Sequence, residues 1–281
     1  MMDNLLLAAQ QVDFAYGERT VLHDADIVLH TGDLVALVGP NGSGKTTLLK
    51  LLCGILAPKA GRVIWNGSDL RTLQRRRVAR QIALVPQELN IPFAFTVAEI
   101  VGLGRTPHMR PLAGESNRDR LAVMQALDLT ETKELADRFF GELSGGEQQR
   151  VALAMALAQI ADSVLGSVAP SVLLLDEPTV HLDINHQIEI LELIHKLNRE
   201  CGLTVLATMH DLNLASLFFD RLILLNEGRI VTDGTPQAVL SKERVENVFH
   251  TGVVVQPHPT LAHVPHIVLL PRMETGNTEG I

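Results

Sequence analysis

The chain has 281 residues, 46% hydrophobic and 20% charged, an ordinary globular composition with room for one large domain or a core carrying an inserted subdomain. A net charge of −8 without a long basic block argues against nucleic acid as a partner. Two cysteines, Cys53 and Cys201, fit a reduced compartment and supply no disulfide framework, and no apolar run approaches the ~18–20 residues of a membrane helix.

The start, Met1-Met2-Asp3-Asn4, lacks the basic n-region of a signal peptide, so the chain is expected in the cytosol unless a partner holds it at a membrane. Residues 5–16 mix apolar and polar side chains in near-alternation and read as an edge or half-buried strand. The run Leu34-Val35-Ala36-Leu37-Val38 reads as a strand buried on both faces. A glycine-rich turn and a helix over 45–56 follow, then a strand over 61–67 that ends in a turn. The cluster Arg75-Arg76-Arg77 reads as a solvated helix face. Ile82-Ala83-Leu84-Val85 is a further buried strand, closed by Pro86.

From Thr96 to about Ile160 the pattern turns helical, with punctuation at Gly102, Gly104, Pro107, Pro111 and Gly114. It reads as a helical insertion in an α/β core. Strands resume at 172–175, 203–208 and 222–225, with a helix near 185–199 that presents Ile188, Leu191, Ile194 and Leu197 on one face. Strands alternating with helices predict a mostly parallel sheet with right-handed crossovers. Residues 276–281 read as a frayed tail.

Two segments carry chemistry. Gly39-Pro40-Asn41-Gly42-Ser43-Gly44-Lys45-Thr46-Thr47 lies between a strand and a helix and matches the phosphate-binding P-loop. Its glycines let backbone N–H groups curl around phosphate oxygens, and the helix N-terminus adds partial positive charge. Lys45 is expected on the β and γ phosphates and the Thr46 hydroxyl on Mg²⁺. Leu173-Leu174-Leu175-Asp176-Glu177 is a buried strand ending in two carboxylates. Asp176 is expected to hold the metal through its hydration shell and Glu177 to polarise the attacking water.

A third segment, Leu143-Ser144-Gly145-Gly146-Glu147-Gln148-Gln149-Arg150, places a Ser-Gly-Gly turn before an apolar helix, again an anion site. It matches the signature motif of ABC ATPases, and the chain resembles that family from about Leu5 to Leu240. The resemblance implies an α/β P-loop NTPase (RecA-like) fold: a mostly parallel core, an N-terminal antiparallel β subdomain and a helical insertion over about 93–160. Residues 1–240 form the ATPase domain and 241–281 a short C-terminal extension. It also implies a head-to-tail dimer of two copies, with Ser144, Gly145, Gly146 and Glu147 of each capping the nucleotide of the other. By the same resemblance Tyr16 stacks on adenine, Gln87 touches Mg²⁺ and senses a transmembrane partner, Asp183 crosses the dimer interface, and His210 is the switch histidine that positions Glu177 and the water. His181 departs from the family, where a small residue is usual. His250, His258, His263 and His266 fit no familiar metal spacing.

An ATPase without a membrane segment must borrow a pore or act on something soluble. The chain lacks the coiled coils and zinc modules of soluble DNA-repair relatives, which favours a transporter subunit over a soluble clamp for DNA repair or cluster assembly. Gly104-Arg105-Thr106-Pro107-His108, Glu115-Ser116-Asn117-Arg118-Asp119 and His210-Asp211-Leu212-Asn213 resemble importers of ferric siderophores, heme and cobalamin. The extra residues 161–171 resemble an insertion of heme importers, and the tail over 241–271 also resembles this importer group. The expected partners are a permease and, through it, an extracytoplasmic substrate-binding protein, with the chain peripheral on the cytoplasmic face. Residues 96–129, entered through Gln87, are expected to receive the permease, with Phe93 and Phe95 as apolar anchors or core residues.

Overall fold

The computed structural model describes residues 5–91, 94–109, 115–164 and 170–271. The features expected at Phe93, Pro111 and Gly114, around 165–169 and in the 276–281 tail lie outside these residues. The hairpin β1 (Leu5–Tyr16) and β2 (Arg19–His30) leads into β3 (Leu34–Val38) and α1 (Lys45–Leu52). Strands β4 (Ala60–Trp65) and β5 (Ser68–Asp69), helix α2 (Arg75–Ala79) and strand β6 (Ile82–Val85) follow. Three helices come next: α3 (Val97–Leu103), α4 (Asn117–Leu129) and α5 (Gly145–Val164). Alternation resumes with β7 (Val172–Leu175), α6 (Ile184–Cys201), β8 (Thr204–Met209), α7 (Leu212–Phe218), β9 (Arg221–Asn226) and β10 (Arg229–Gly234). Then come α8 (Pro236–Val239), α9 (Lys242–Phe249) and the hairpin β11 (Val253–Pro257) with β12 (Pro265–Leu269).

The central sheet has six strands in the order β10-β9-β3-β8-β7-β6, parallel except for β10. Its inner strands are apolar throughout because each faces two cores. Leu34, Ala36 and Val38 of β3 pack with the helical layer, while Val35 and Leu37 pack with α1 and the second sheet. That second sheet is antiparallel, in the order β2-β1-β4-β5. Of the two readings of β1, an edge or a half-buried strand, the edge is corrected here, since β1 lies between β2 and β4. The 45–56 helix also stops early, turning out at Cys53 and Gly54.

The helical insertion closes at its neck. Phe140 N–H donates to the Phe95 carbonyl at 3.0 Å and Val97 N–H to that of Arg138 at 3.0 Å. Phe95 is half-buried against the helical core. Inside the insertion, Arg105 is 1% exposed; its Nε donates to Asp119 Oδ1 at 3.0 Å and its guanidinium also to the Ala158 carbonyl at 2.7 Å. The other oxygen, Asp119 Oδ2, accepts from Ser116 N–H at 3.1 Å and from its hydroxyl at 2.6 Å, closing the capping box of α4. Burial alone raises the Asp119 carboxyl, but the Ser116 and Arg105 bonds outweigh it and hold the group below the usual carboxylate range. Arg76 and Arg80 both donate to the Pro107 carbonyl, at 2.6 and 2.9 Å, so Arg76 ties α2 to the insertion rather than only solvating a helix face.

Asp119→Ala removes the carboxylate opposite a buried guanidinium and is expected to cost about 3–5 kcal/mol, whereas the apolar pair Arg105→Met with Asp119→Leu recovers most of that loss. Glu115→Ala breaks the exposed pair with Arg120 and is expected to cost no more than about 1 kcal/mol. Urea unfolding of the variants measures all three.

Candidate active site

The strand order places the ends of β3, β8, β7 and β6 in one row, at the carboxyl edge where open α/β sheets bind ligands. The P-loop follows β3, His210 follows β8, Asp176 and Glu177 follow β7, and Gln87 lies two residues beyond β6. A cavity of about 590 Å³, within the usual range for small-molecule sites, opens beside this edge. It is lined by Tyr16, Asn41, Gly42, Gly44, Lys45, Thr46, Thr47 and Glu177. Gln87 is exposed and does not line it. Tyr16 is 50% exposed at its rim, with Phe14 edge-on at 4.9 Å.

Gly39 packs so closely beneath β9 that a Cβ there would run into the Leu225 carbonyl. Helix α1 starts at Gly44 with no side-chain cap, whereas α3, α4 and α6 start on Thr96, Ser116 and Asp183, whose side chains each accept from a first-turn N–H. An uncapped first turn beside a cavity presents its N–H groups to an anion. Ser43 Oγ is buried without a hydrogen-bond partner among the described residues. Lys45 is 5% exposed, and its Nζ donates to the carbonyls of Gly39 and Pro40 at 2.9 and 3.0 Å. Burial pushes its ammonium below the ordinary lysine range, while the charges of Glu177 and Asp176 pull it back up.

The Thr46 hydroxyl donates to Asp176 Oδ1 at 3.0 Å, which leaves its lone pairs for a cation. A hydroxyl and a carboxylate are the hard oxygen donors that Mg²⁺ takes beside substrate phosphates, so these residues fit that ion. His210 Nε2 is hydrogen-bonded to Glu177 Oε1. An ionised carboxylate only accepts, so this bond puts the proton on Nε2. Thr208, buried on β8, accepts from Glu177 N–H at 2.7 Å and donates to Asp176 Oδ1 at 3.0 Å.

The signature segment lies at the start of α5. Ser144 and Glu147 close a capping box, with Glu147 Oε2 accepting from Ser144 N–H at 2.7 Å and from its hydroxyl at 2.9 Å. These bonds hold the Glu147 carboxyl below its usual range. Gly146 lies over the His186 ring, 2.6 Å from where a Cβ would stand. His186 Nδ1 pairs with Asp183 Oδ1 at 2.8 Å, so one ring links the signature turn to the Asp183 loop of the same chain. His181, in a left-handed backbone conformation, faces Glu88 at 3.9 Å, next to Gln87.

Sequence reasoning missed Arg19, Thr20, Val21, His23, Glu227 and Gly228, all of which line the cavity. They come from β2 and the β9–β10 turn, which clasp the P-loop: His23 N–H donates to the Gly228 carbonyl at 2.9 Å and Gly228 N–H to that of Ser43 at 3.1 Å. A second cleft, of about 720 Å³, runs along residues 53–58, α2 and β6, and among the described residues of the insertion Gln159 lines it.

The family model for ABC transporters matches residues 22–180. The chain is 37% identical over 253 residues to the iron(3+)-hydroxamate import ATP-binding protein of Bacillus subtilis, covering 90% of this chain and 91% of that protein. It is 42% identical over 258 residues to the hemin import ATP-binding protein of Pseudomonas entomophila, covering 92% and 98%. Its fold matches a solved inward-facing transporter ascribed to the metal-chelate type of ABC transporter, with a TM-score of 0.80 and 32% identity over 95% of this chain and 98% of that one.

Gly146→Ala drives a methyl group into the His186 ring and is expected to cost about 1–3 kcal/mol of stability, the scale of overpacking. Adding His186→Ala in the same chain is expected to restore most of it. Thermal unfolding of the single and double variants measures the recovery.

Proposed function

From the fact that the chain belongs to the ABC transporter ATP-binding family, and is therefore an ATPase coupled to transport, we infer that it powers the import of chelated iron, as a ferric siderophore or as heme. The observation that carries the chemistry is the convergence of Lys45, the Thr46–Asp176 pair and the Glu177–His210 pair at one sheet edge beside an uncapped helix start. The relatives' import of iron(3+)-hydroxamate and hemin supports the cargo class and favours transport over the soluble clamp.

In this reading ATP lays its adenine on Tyr16 and its phosphates in the N–H cradle of residues 39–47. Lys45 exchanges the Gly39 and Pro40 carbonyls for β and γ phosphate oxygens. Thr46 and Asp176 would hold Mg²⁺, joined on nucleotide binding by Gln87, which stands outside the cavity lining, and the ion would supply positive charge against those phosphates. Glu177 polarises a water in line with the γ phosphate, and His210 steadies Glu177 through Nε2. Ser144, Gly145, Gly146 and Glu147 of a second copy cap the nucleotide, and Asp183 lies at the interface, so ATP shifts the population toward a closed two-fold dimer.

The chain sits peripherally on the cytoplasmic face of the cell membrane; among its described residues no helix is long and apolar enough to cross one. It acts on transmembrane permease subunits and, through them, on an extracytoplasmic substrate-binding protein. A permease segment docks against the insertion and the second cleft. Ile82 and Leu84 of β6 line that cleft and Gln87 follows the same strand, so docking is transmitted toward the γ phosphate. Residues 1–240 act as the ATPase unit, with 93–160 as its insertion and 241–281 as an extension.

Lys45→Ala is expected to lose both ATP affinity and turnover, whereas Glu177→Gln keeps affinity and slows hydrolysis by ~10²–10⁴-fold. Nucleotide titration and phosphate release read the two; wild-type hydrolysis by Glu177→Gln would refute the role of Glu177. In vesicles holding the whole transporter, Gln87→Ala is expected to leave ATP affinity within about threefold of wild type and to abolish most cargo uptake. Heme, a ferric siderophore and cobalamin are the cargoes to compare, and absence of ATP-dependent uptake of all three would remove the importer assignment.

A further inference from the structure

We propose that Thr208 is a positioning residue for hydrolysis, its hydroxyl holding the backbone of Glu177 in the one conformation that aims the carboxylate at the site. The proposal rests on the reading of Glu177 as the group that polarises water. Three observations carry it.

The first is burial. Thr208 is 0% exposed on β8, in a run of otherwise apolar residues, Val205, Leu206, Ala207 and Met209. Valine has the same shape and needs no partner, whereas a buried hydroxyl is costly unless its bonds are made.

The second is the direction of those bonds. Glu177 N–H can only donate, so the Thr208 oxygen accepts there at 2.7 Å, and its own hydrogen goes to Asp176 Oδ1 at 3.0 Å. One hydroxyl therefore joins the metal-side carboxylate to the peptide of the next residue. Asp176 Oδ1 also accepts from Thr46, so the hydroxyl is anchored to the P-loop through a single oxygen.

The third is the backbone of Glu177, which has φ +52, a left-handed conformation that long L side chains rarely adopt. Such a conformation persists only where its surroundings over-determine it. Here β8 and the residue that follows it support Glu177 from both sides, Thr208 bonding its N–H and His210 its carboxylate. The register sets this up, since Leu175 pairs with Ala207 and the next residue of each strand is Asp176 and Thr208.

The test uses the full chain with Mg-ATP and compares Thr208→Val, which keeps the shape and loses the hydroxyl, with Thr208→Ser, which keeps the hydroxyl. Thr208→Val is expected to lower kcat by ~10–100-fold, the usual effect of removing a group that orients a site residue, with KM for ATP within about threefold of wild type. Thr208→Ser is expected to stay within about threefold in both parameters. In a Glu177→Gln background Thr208→Val is expected to change the residual rate by less than about threefold, because the carboxylate it aims is gone. Near-normal kcat in Thr208→Val overturns the proposal. So does an equal loss in Thr208→Ser, or a full loss that persists with Glu177→Gln, since either marks a packing role. Should Thr208→Val not fold, Thr208→Ala carries the same comparisons. Wild-type hydrolysis by Glu177→Gln alone refutes the reading of Glu177, a result separable from any of these.

Discussion

Lys45 carries an ammonium group into a wall of the cavity beside the sheet edge from which most water is excluded, and such a charge is tolerated only where protein oxygens surround it. The loop meets that demand with the carbonyls of Gly39 and Pro40, and β7 meets it at longer range with the carboxylates of Asp176 and Glu177. The two carboxylates in turn need the cation beside them. The P-loop and the end of β7 are thus each costly alone and are stable as neighbours. Their connection runs through the Thr46–Asp176 bond, which joins α1 to β7 across the sheet edge.

That mutual demand explains why the fold keeps β3, β8 and β7 adjacent. With Val38 opposite Met209 and Leu175 opposite Ala207, the loops leaving the three strands emerge at the same height. A slip of one residue would send Asp176 to the opposite face of the sheet and part it from Thr46. The apolar runs Leu34 to Val38 and Val172 to Leu175 hold the register, because both of their faces are filled by separate cores. The hydrophobic pattern thus determines where the charged groups stand.

The central strands, the helical insertion, the P-loop turn and the Asp176-Glu177 pair were legible in sequence because each is contiguous: an apolar run, a glycine-rich turn, a pair of acids after four apolar residues. Strand β2 was not, because a bulge interrupts its alternation. Leu22 pairs with Phe14 and Ala25 with Val12, and Asp24 between them takes a left-handed conformation. With β2 unread, β1 looked like an edge, and the Val21, His23 and Gly228 contribution to the P-loop stayed hidden. Thr208 and His186 were illegible for another reason. Each touches a segment distant in sequence, Thr208 the Asp176–Glu177 pair and His186 the Gly146 turn, and no local pattern marks either contact. The resemblance brought Gln87 to notice, yet the structure leaves it outside the cavity lining.

The polar groups of the site are bonded within the chain in a way that a phosphate can take over. Lys45 is held by loop carbonyls, the Ser144 donors by the Glu147 carboxylate, and His210 Nε2 by the Glu177 carboxylate. A group already bonded internally gains little from a ligand that merely replaces the bond, so simple exchange supplies little net free energy. The gain must come from contacts that have no internal equivalent. Ser43 Oγ has no partner among the described residues, and the first turn of α1 has no side-chain cap. Both lie in the P-loop, whereas at the signature turn the Ser144 N–H and hydroxyl are already taken by Glu147. On the proposed reading, a phosphate would reach the open P-loop donors first and would have to compete with Glu147 for Ser144. On that reading the order, set by which donors are taken and which are open, would make closure of two copies depend on a nucleotide already in place.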